Sequence, residues 1–430
     1  MKINYRNIFR YSDYRWLLAI GILAYFAVVI YNIIAWNDYA RTWEGWLNIS
    51  PERPGFADFR SIAKACEIFR NRHYSIFTDF NSMSLGFGYP KIWFLLSYLG
   101  IKESHTNIIS IIFITLFFIA IFKIIEKIGF VESLFYFITI TSFPFILAIE
   151  RANADLIIFL LLFLSFLFFK KNKIFLSVFN IILSVFLKYY TIFTLVVFAD
   201  KKKSFVKILM ISFLAFGIYS YLFFSDISFM LNMKNKYYNS IWHSYGMFIY
   251  VDYIKLFISN SLAIHNKAEY LYLLKYFHGI SLFVVILIFL SVFYFSIKNK
   301  NSSAFKSPYI NEFRIGTSVY IGSFFLGYNF DYRLIFLIFT LPQIFYWIKH
   351  EKKLKFICLI ILTSILVSFN YYYFAVDYFL LFKWNRIFSF NVLLFTLREL
   401  SLWVMFSLYL YIIVITMPEN IKEKIILFNK

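Results

Sequence analysis

A small set of ionisable residues stands at the ends of long apolar runs, where charge is costly in lipid and is therefore read first as chemistry. Asp58 opens a loop helix in Gly55-Phe56-Ala57-Asp58-Phe59, and Glu150, Arg151, Asn153 and Asp155 fall together in ERANAD at the mouth of one run. Lys188 separates two shorter runs, Asp331 and Arg333 form the turn NFDYR between two more, and His243 lies in Ile241-Trp242-His243-Ser244-Tyr245-Gly246. If these ends face one side of a membrane, a lysine and two arginines meet a carboxylate at the head-group boundary. Arginine offers a planar fork and lysine a point charge, both suited to a phosphate. A carboxylate beside them can accept a proton from an attacking hydroxyl. Together they describe transfer of a group away from a lipid-linked phosphate.

Each residue also has a plainer reading. Aspartate is a favoured cap for a following helix, which is a sufficient role for Asp58. Arg151 and Arg333 can snorkel to the interface and pair with Glu150 and Asp331. Lys188 can be the solvated tip of a hairpin, and His243 a hydrogen-bonded loop histidine. The combination carries more than any one residue.

The elements that must position them are membrane helices. The chain has 430 residues, 61% hydrophobic, 24% aromatic and 15% charged, with a mean hydropathy of +0.70. Such a balance excludes a soluble globular protein. A crossing helix needs about 20 apolar residues, and long candidates are 16–36, 107–122, 131–149, 154–169, 205–224, 271–297, 313–330, 332–348, 356–369 and 400–416. The shorter runs 174–187 and 191–199 frame Lys188-Tyr189-Tyr190 as two broken or tilted half-spans. Counting both gives twelve crossings in an all-α polytopic protein of about 11 to 13 transmembrane helices, and an even number places both termini on one side.

Lysine and arginine concentrate in 1–15, 123–127, 170–173, 201–207, 298–314, 349–355 and 421–430, which puts those segments and both termini in the cytoplasm. The net charge of +20 is thus a signal of topology and of attraction to anionic head groups, not of nucleic acid. The polar, basic start is followed by no small-residue cleavage site, so the first span reads as retained. The expected location is the plasma (inner) membrane, with loops 37–107, 225–270 and 370–399 outside and no internal repeat or linker dividing 1–430 into domains. In the first loop Phe59, Ile62, Ala63, Cys66 and Phe69 recur at helical spacing, predicting an amphipathic helix over 59–71. The segment YPKIWFLLSYLGI, 89–101, reads as a re-entrant or interfacial helix on the outer side, with a short second span as the alternative. Cys66 and Cys358 form no CxxC and no Cys/His cluster, so neither a disulfide framework nor a zinc site is expected. No nucleotide-binding glycine loop and no Asp-x-Asp pattern occurs. Outer aromatic residues, Trp242, Tyr245, Tyr371, Tyr372, Tyr373 and Trp384 among them, fit either sugar stacking or an interfacial belt.

In order along the chain, Asp58-Phe59, Tyr89-Pro90, Arg151-Ala152-Asn153-Ala154-Asp155, Leu187-Lys188-Tyr189-Tyr190 and Asp331-Tyr332-Arg333 resemble the polyprenol-dependent glycosyltransferases of the GT-C fold. The similarity is greatest to the family 87 type, which includes mannosyl and arabinofuranosyl transferases. It extends over about residues 16–348, through motifs that are each short. Lys91 stands where that family has a second proline, Ala152 where it has glycine, and Tyr189 and Thr191 where it has prolines around the lysine. The resemblance implies a GT-C-like fold with a large first outer loop. It implies that Asp58 is the catalytic base, that Lys188 and Arg151 contact the donor phosphate, and that Asn153 orders the site. Tyr89, Asp155, Asp331, Arg333 and His243 are further substrate-binding candidates by position. The implied reaction passes a sugar from a polyprenyl-phosphate-linked donor to a hydroxyl of a glycan, lipid or polysaccharide precursor, with inversion. Membrane lipid, donor and acceptor are then its partners, and no cofactor or metal is called for. An O-antigen-type polymerase or ligase is the first alternative, although such enzymes carry their large outer loop late in the chain. A lipid-linked glycan transporter or flippase is the second, although inverted repeats are absent.

Overall fold

In lipid every backbone N–H and C=O must be satisfied within the protein, so apolar runs of this length fold as helices. The computed structural model describes residues 13–36, 42–43, 55–72, 89–200, 202–224, 243–254, 267–298, 307–374 and 390–418. The helices are α1 (Arg15–Trp36), α2 (Ala57–Asn71), α3 (Leu95–Tyr98), α4 (Thr106–Ile124), α5 (Phe130–Ile140), α6 (Phe143–Glu150), α7 (Ala154–Lys170), α8 (Ile174–Leu187) and α9 (Lys202–Leu222). They continue with α10 (Lys267–Lys298), α11 (Ile310–Phe325), α12 (Leu341–His350), α13 (Lys352–Phe374) and α14 (Phe390–Ile415). Among the described residues six helices are long and apolar enough to cross a membrane, within α1, α4, α9, α10, α13 and α14. The protein is therefore a helical, multi-pass membrane protein.

The run at 131–149, expected as one straight span, is broken into α5 and α6 with a bend of 50°, and counts as a seventh crossing if taken whole. Pro144 in the first turn of α6 has no N–H to donate to the preceding turn. The Ser142 hydroxyl takes up the Thr139 carbonyl at the break. The runs at 154–169 and 174–187 form α7 and α8 as expected, whereas two others are wound differently from the α-helical spans the pattern suggests. Residues 191–199 belong to a 3₁₀ helix, Tyr189–Asp200. Residues 332–348 divide into a 3₁₀ helix, Asp331–Thr340, and α12.

A 3₁₀ helix rises about 2.0 Å per residue where an α-helix rises about 1.5 Å, so twelve residues reach about 24 Å instead of about 18 Å. Threonine hydroxyls reinforce the tighter winding, since Thr191, Thr194 and Thr340 each donate to the carbonyl three residues back. Both 3₁₀ helices lie against α11, which admits them at two glycines. A Cβ on Gly316 would come within 2.7 Å of the Phe336 carbonyl oxygen, and one on Gly322 within 2.1 Å of the Phe193 ring. Gly322→Ala is therefore expected to cost about 1–3 kcal/mol through overpacking. Thermal unfolding of the purified variant in detergent checks this, and an unchanged midpoint would mean the Phe193 ring moves aside freely.

The amphipathic helix of the first loop forms as its spacing predicts. Phe59, Ile62, Ala63, Cys66 and Phe69 of α2 are buried. Phe69 stacks on Phe94 at 4.7 Å, Phe59 meets Phe113 of α4 edge-on at 5.7 Å, and the Cys66 thiol donates to the Trp93 carbonyl at 3.3 Å. Cys66 and Cys358 are both buried and free, and burial pushes the Cys66 thiol up to about 12. The segment 89–101 holds only a 3₁₀ turn, Lys91–Phe94, and the four-residue α3, so it is too short to cross and rests on α2.

One departure from an all-α reading is a pair of two-residue antiparallel strands, β1 (Ser244–Tyr245) and β2 (Asn329–Phe330), with Ser244 opposite Phe330 and Tyr245 opposite Asn329. It fastens the segment 243–254 to the turn that begins the later 3₁₀ helix. Tyr245 and Tyr371 are buried in the protein, so neither offers a sugar platform or an interfacial belt. Trp242 and Trp384, and the side chains of Tyr372 and Tyr373, lie outside the described residues.

Candidate functional site

The stretch Glu150 to Asp155 is a helix-to-helix junction. Asn153 closes α6 by donating its N–H to the Ala148 carbonyl, and opens α7 by accepting the Asp155 N–H on its side-chain oxygen at 2.8 Å. Between them Ala152 takes a left-handed conformation, φ 43°. The start of α2 is sewn to the same junction. Phe56, also left-handed at φ 62°, donates its N–H to the Glu150 carbonyl, and Asp58 donates its N–H to that of Arg151. Asp58 is not the helix cap, for that position is Phe56, and the Asp58 side chain turns to the junction. There it accepts a hydrogen bond from the Asn153 amide and faces the Arg151 guanidinium at 3.9 Å.

Lys188 sits at the break between α8 and the first 3₁₀ helix, in an extended conformation. It is not a solvated tip. Its ammonium is buried and pairs with Asp155 at 2.7 Å, with Asn153 Oδ1 at 3.4 Å and the rings of Tyr89 and Tyr332 at 5.6 and 5.4 Å. Tyr190 donates its hydroxyl to the same Asp155 oxygen at 2.7 Å. Arg333 approaches the other oxygen at 3.6 Å, lies over the Tyr190 ring at 4.7 Å and donates to the Asn329 side chain. Asp58, Tyr89, Arg151, Asn153, Asp155, Lys188 and Arg333 are thus brought together from five separate parts of the chain. Tyr190 and Tyr332, present in the motifs but not singled out, complete the walls.

The two carboxylates differ in access. Asp155 is sealed, with its side chain 0% exposed, whereas that of Asp58 is 17% exposed. Only Asp58 is open to take a proton from an incoming hydroxyl, and Asp155 acts as counter-ion to Lys188 and Arg333. Three cations against two carboxylates leave the cluster with one positive charge.

Asp331 and His243 lie to one side. Asp331 does not pair with Arg333; the wholly buried Arg398 of α14 binds it, and also binds Glu399 at 2.6 Å and the Ser244 carbonyl at 2.9 Å. The apolar run in the sequence begins at Leu400, but α14 starts at Phe390 and so carries Arg398 and Glu399 within it. The signal was an Arg-Glu pair inside an apolar run. A second unforeseen group joins Asp252, His278 of α10 and Tyr328 by mutual hydrogen bonds, beneath the stacked ring of Phe248.

His243 stacks on Phe143 at 5.3 Å. Burial first, then the charges of Arg398 and Arg151, pull its imidazole down to about 4, so it is neutral at pH 7. Below pH 6.5 the unfolded chain takes up a proton that the folded chain refuses until about pH 4. The contribution of His243 is thus fully present above about pH 6.5 and is lost as pH falls towards 4, by at most about 3 kcal/mol. Wild type should therefore lose more thermal stability than His243→Gln between pH 7 and pH 4.5. Parallel loss in both would show that the imidazole takes no part.

No protein-family model, curated protein or solved structure matches the chain. The class of helical multi-pass membrane protein rests on the apolar helices themselves, and the chemistry rests on the geometry of the site.

Proposed function

We propose that this protein transfers a sugar from a polyprenyl-monophosphate donor to a hydroxyl of a glycan, lipid or polysaccharide precursor. The observation that carries the reading is the convergence of an accessible carboxylate, Asp58, with three cations, Arg151, Lys188 and Arg333, at one end of the helices. The cations receive the phosphate of the donor, and the single net positive charge of the whole cluster complements the single negative charge of a phosphodiester. Asp58 takes the proton of the acceptor hydroxyl as that oxygen attacks the anomeric carbon. The bond to the phosphate oxygen breaks on the opposite side, inverting the configuration and releasing polyprenyl phosphate. Tyr89, Tyr190 and Tyr332 wall the site.

In this reading the fold is of GT-C type, with about 11 to 13 crossings once the bent and tightly wound segments are counted with the long helices. The site faces the outer side of the plasma membrane and both termini face the cytoplasm, as the distribution of lysine and arginine favours. The test is donor consumption by purified protein in nanodiscs, with polyprenyl-monophosphate and polyprenyl-diphosphate sugars offered in parallel beside a crude lipid and glycan extract. Turnover of the monophosphate donors is expected. Exclusive use of diphosphate donors would refute the charge argument, and no turnover of either would refute the reading.

A further inference from the structure

Arg398 is fully buried and binds partners on two other elements beside its own neighbour Glu399 in α14. Its Nη2 donates to the Ser244 carbonyl in β1 and to the Asp331 carboxylate just after β2, while Nη1 holds Glu399. These contacts clamp the two strands together from the side of α14. Arg398 also lies over the rings of Tyr371 and Phe395, at 5.7 and 5.9 Å. The clamped strands lead to the site. Asn329, opposite Tyr245, donates its amide to the Ser323 carbonyl and accepts the Arg333 guanidinium on its side-chain oxygen. Ser323 in turn shares a 2.6 Å hydrogen bond with the Tyr245 hydroxyl. A continuous run of hydrogen bonds and strand pairing therefore passes from Arg398 to the guanidinium that faces Asp155.

From this geometry we infer that Arg398 is a positioning residue for the lipid-phosphate site, setting the reach of Arg333 through the paired strands. The inference rests on the reading of the site as a receptor for a lipid phosphate. Arginine is needed because one planar group must serve a carbonyl and two carboxylates in different directions, which a lysine cannot do. The role predicts a defect in phosphate recognition that travels through Arg333 and not a general loss of fold.

The test measures binding of polyprenyl monophosphate to the protein in nanodiscs, with donor and acceptor KM where turnover is seen. Arg398→Lys, which keeps the charge, should weaken phosphate binding about tenfold, within the range for residues coupled in one network. Donor KM should rise with it while acceptor KM stays in place. In an Arg333→Lys background the same change should add nothing. Arg314→Lys is the structural control, because Arg314 is equally buried but binds Asp200 and the Thr416 carbonyl. It should lower the thermal midpoint without altering phosphate binding. If Arg398→Lys folds poorly, the neutral set Arg398→Met, Asp331→Asn and Glu399→Gln removes the buried charges together and should show the same defect. Unchanged binding in folded Arg398 variants, or additive losses with Arg333→Lys, would overturn the role of Arg398 alone. Wild-type protein that binds no polyprenyl monophosphate would overturn the underlying reading and this role with it. Wild type that binds but turns over no donor would refute the transfer reaction and leave the role to be decided by the binding data.

Discussion

Asp58→Asn should lower turnover by about 10²–10⁴-fold, the range for loss of a positioned general base, while the protein folds normally. The substitution keeps the shape of the side chain and removes only its negative charge. Asp58 is anchored through its backbone, whose N–H donates to the Arg151 carbonyl, so the start of α2 stays in place. The Asn153 amide and the Arg151 guanidinium already face this position, and an asparagine oxygen can still accept from them. What is lost is the ability to hold the proton of the acceptor hydroxyl. Donor consumption measured beside a thermal unfolding curve separates chemistry from folding. Retention of most of the activity in the variant would assign the base elsewhere.

Lys188→Met should damage the fold as well as the site. It would leave the Asp155 carboxylate buried with Tyr190 and with Arg333 at 3.6 Å, too long for a hydrogen bond. Removing one partner of a buried ion pair costs about 3–5 kcal/mol, and the residual attraction of Arg333 places this case near the lower end. The double variant Lys188→Met with Asp155→Asn removes both charges of the pair and should recover part of the thermal stability, the remainder being lost because Arg333 no longer has its counter-ion. It should not recover donor turnover, because the phosphate would still have lost a cation. Equal unfolding midpoints for the single and double variants would show that the pair contributes little to stability.

Much of this arrangement is legible in the amino-acid sequence where the cause is local. The spacing of Phe59, Ile62, Ala63, Cys66 and Phe69 is enough to produce α2, because one face of a helix is all it requires. The cap of α7 is not read in this way: it is Asn153, which the resemblance implies only as ordering the site. Features made by distant partners were not legible. Lys188 looks like a solvated tip from its neighbours in sequence, and only the approach of α7 shows it to be buried against Asp155. Asp331 and Arg333 look like partners at two-residue spacing, but the tight winding that begins there sends them to opposite sides, one to Arg398 and one to Asp155. Strands of two residues carry no alternating pattern, so β1 and β2 had no signature at all.

The 3₁₀ helix that runs from Tyr189 to Asp200 has one more consequence. With three residues per turn, side chains three apart are eclipsed, so Thr191, Thr194, Val197 and Asp200 form a straight column without the gradual rotation of an α-helix. Lys188 stands at one end of that column. At the other, Asp200 binds the guanidinium of Arg314 at 2.6 Å. Length and phase are therefore locked together: one inserted residue would turn everything below it by about 120°, a third of a revolution. Evolution can vary which apolar side chains fill this rod, but it can change the length of the rod only in whole turns.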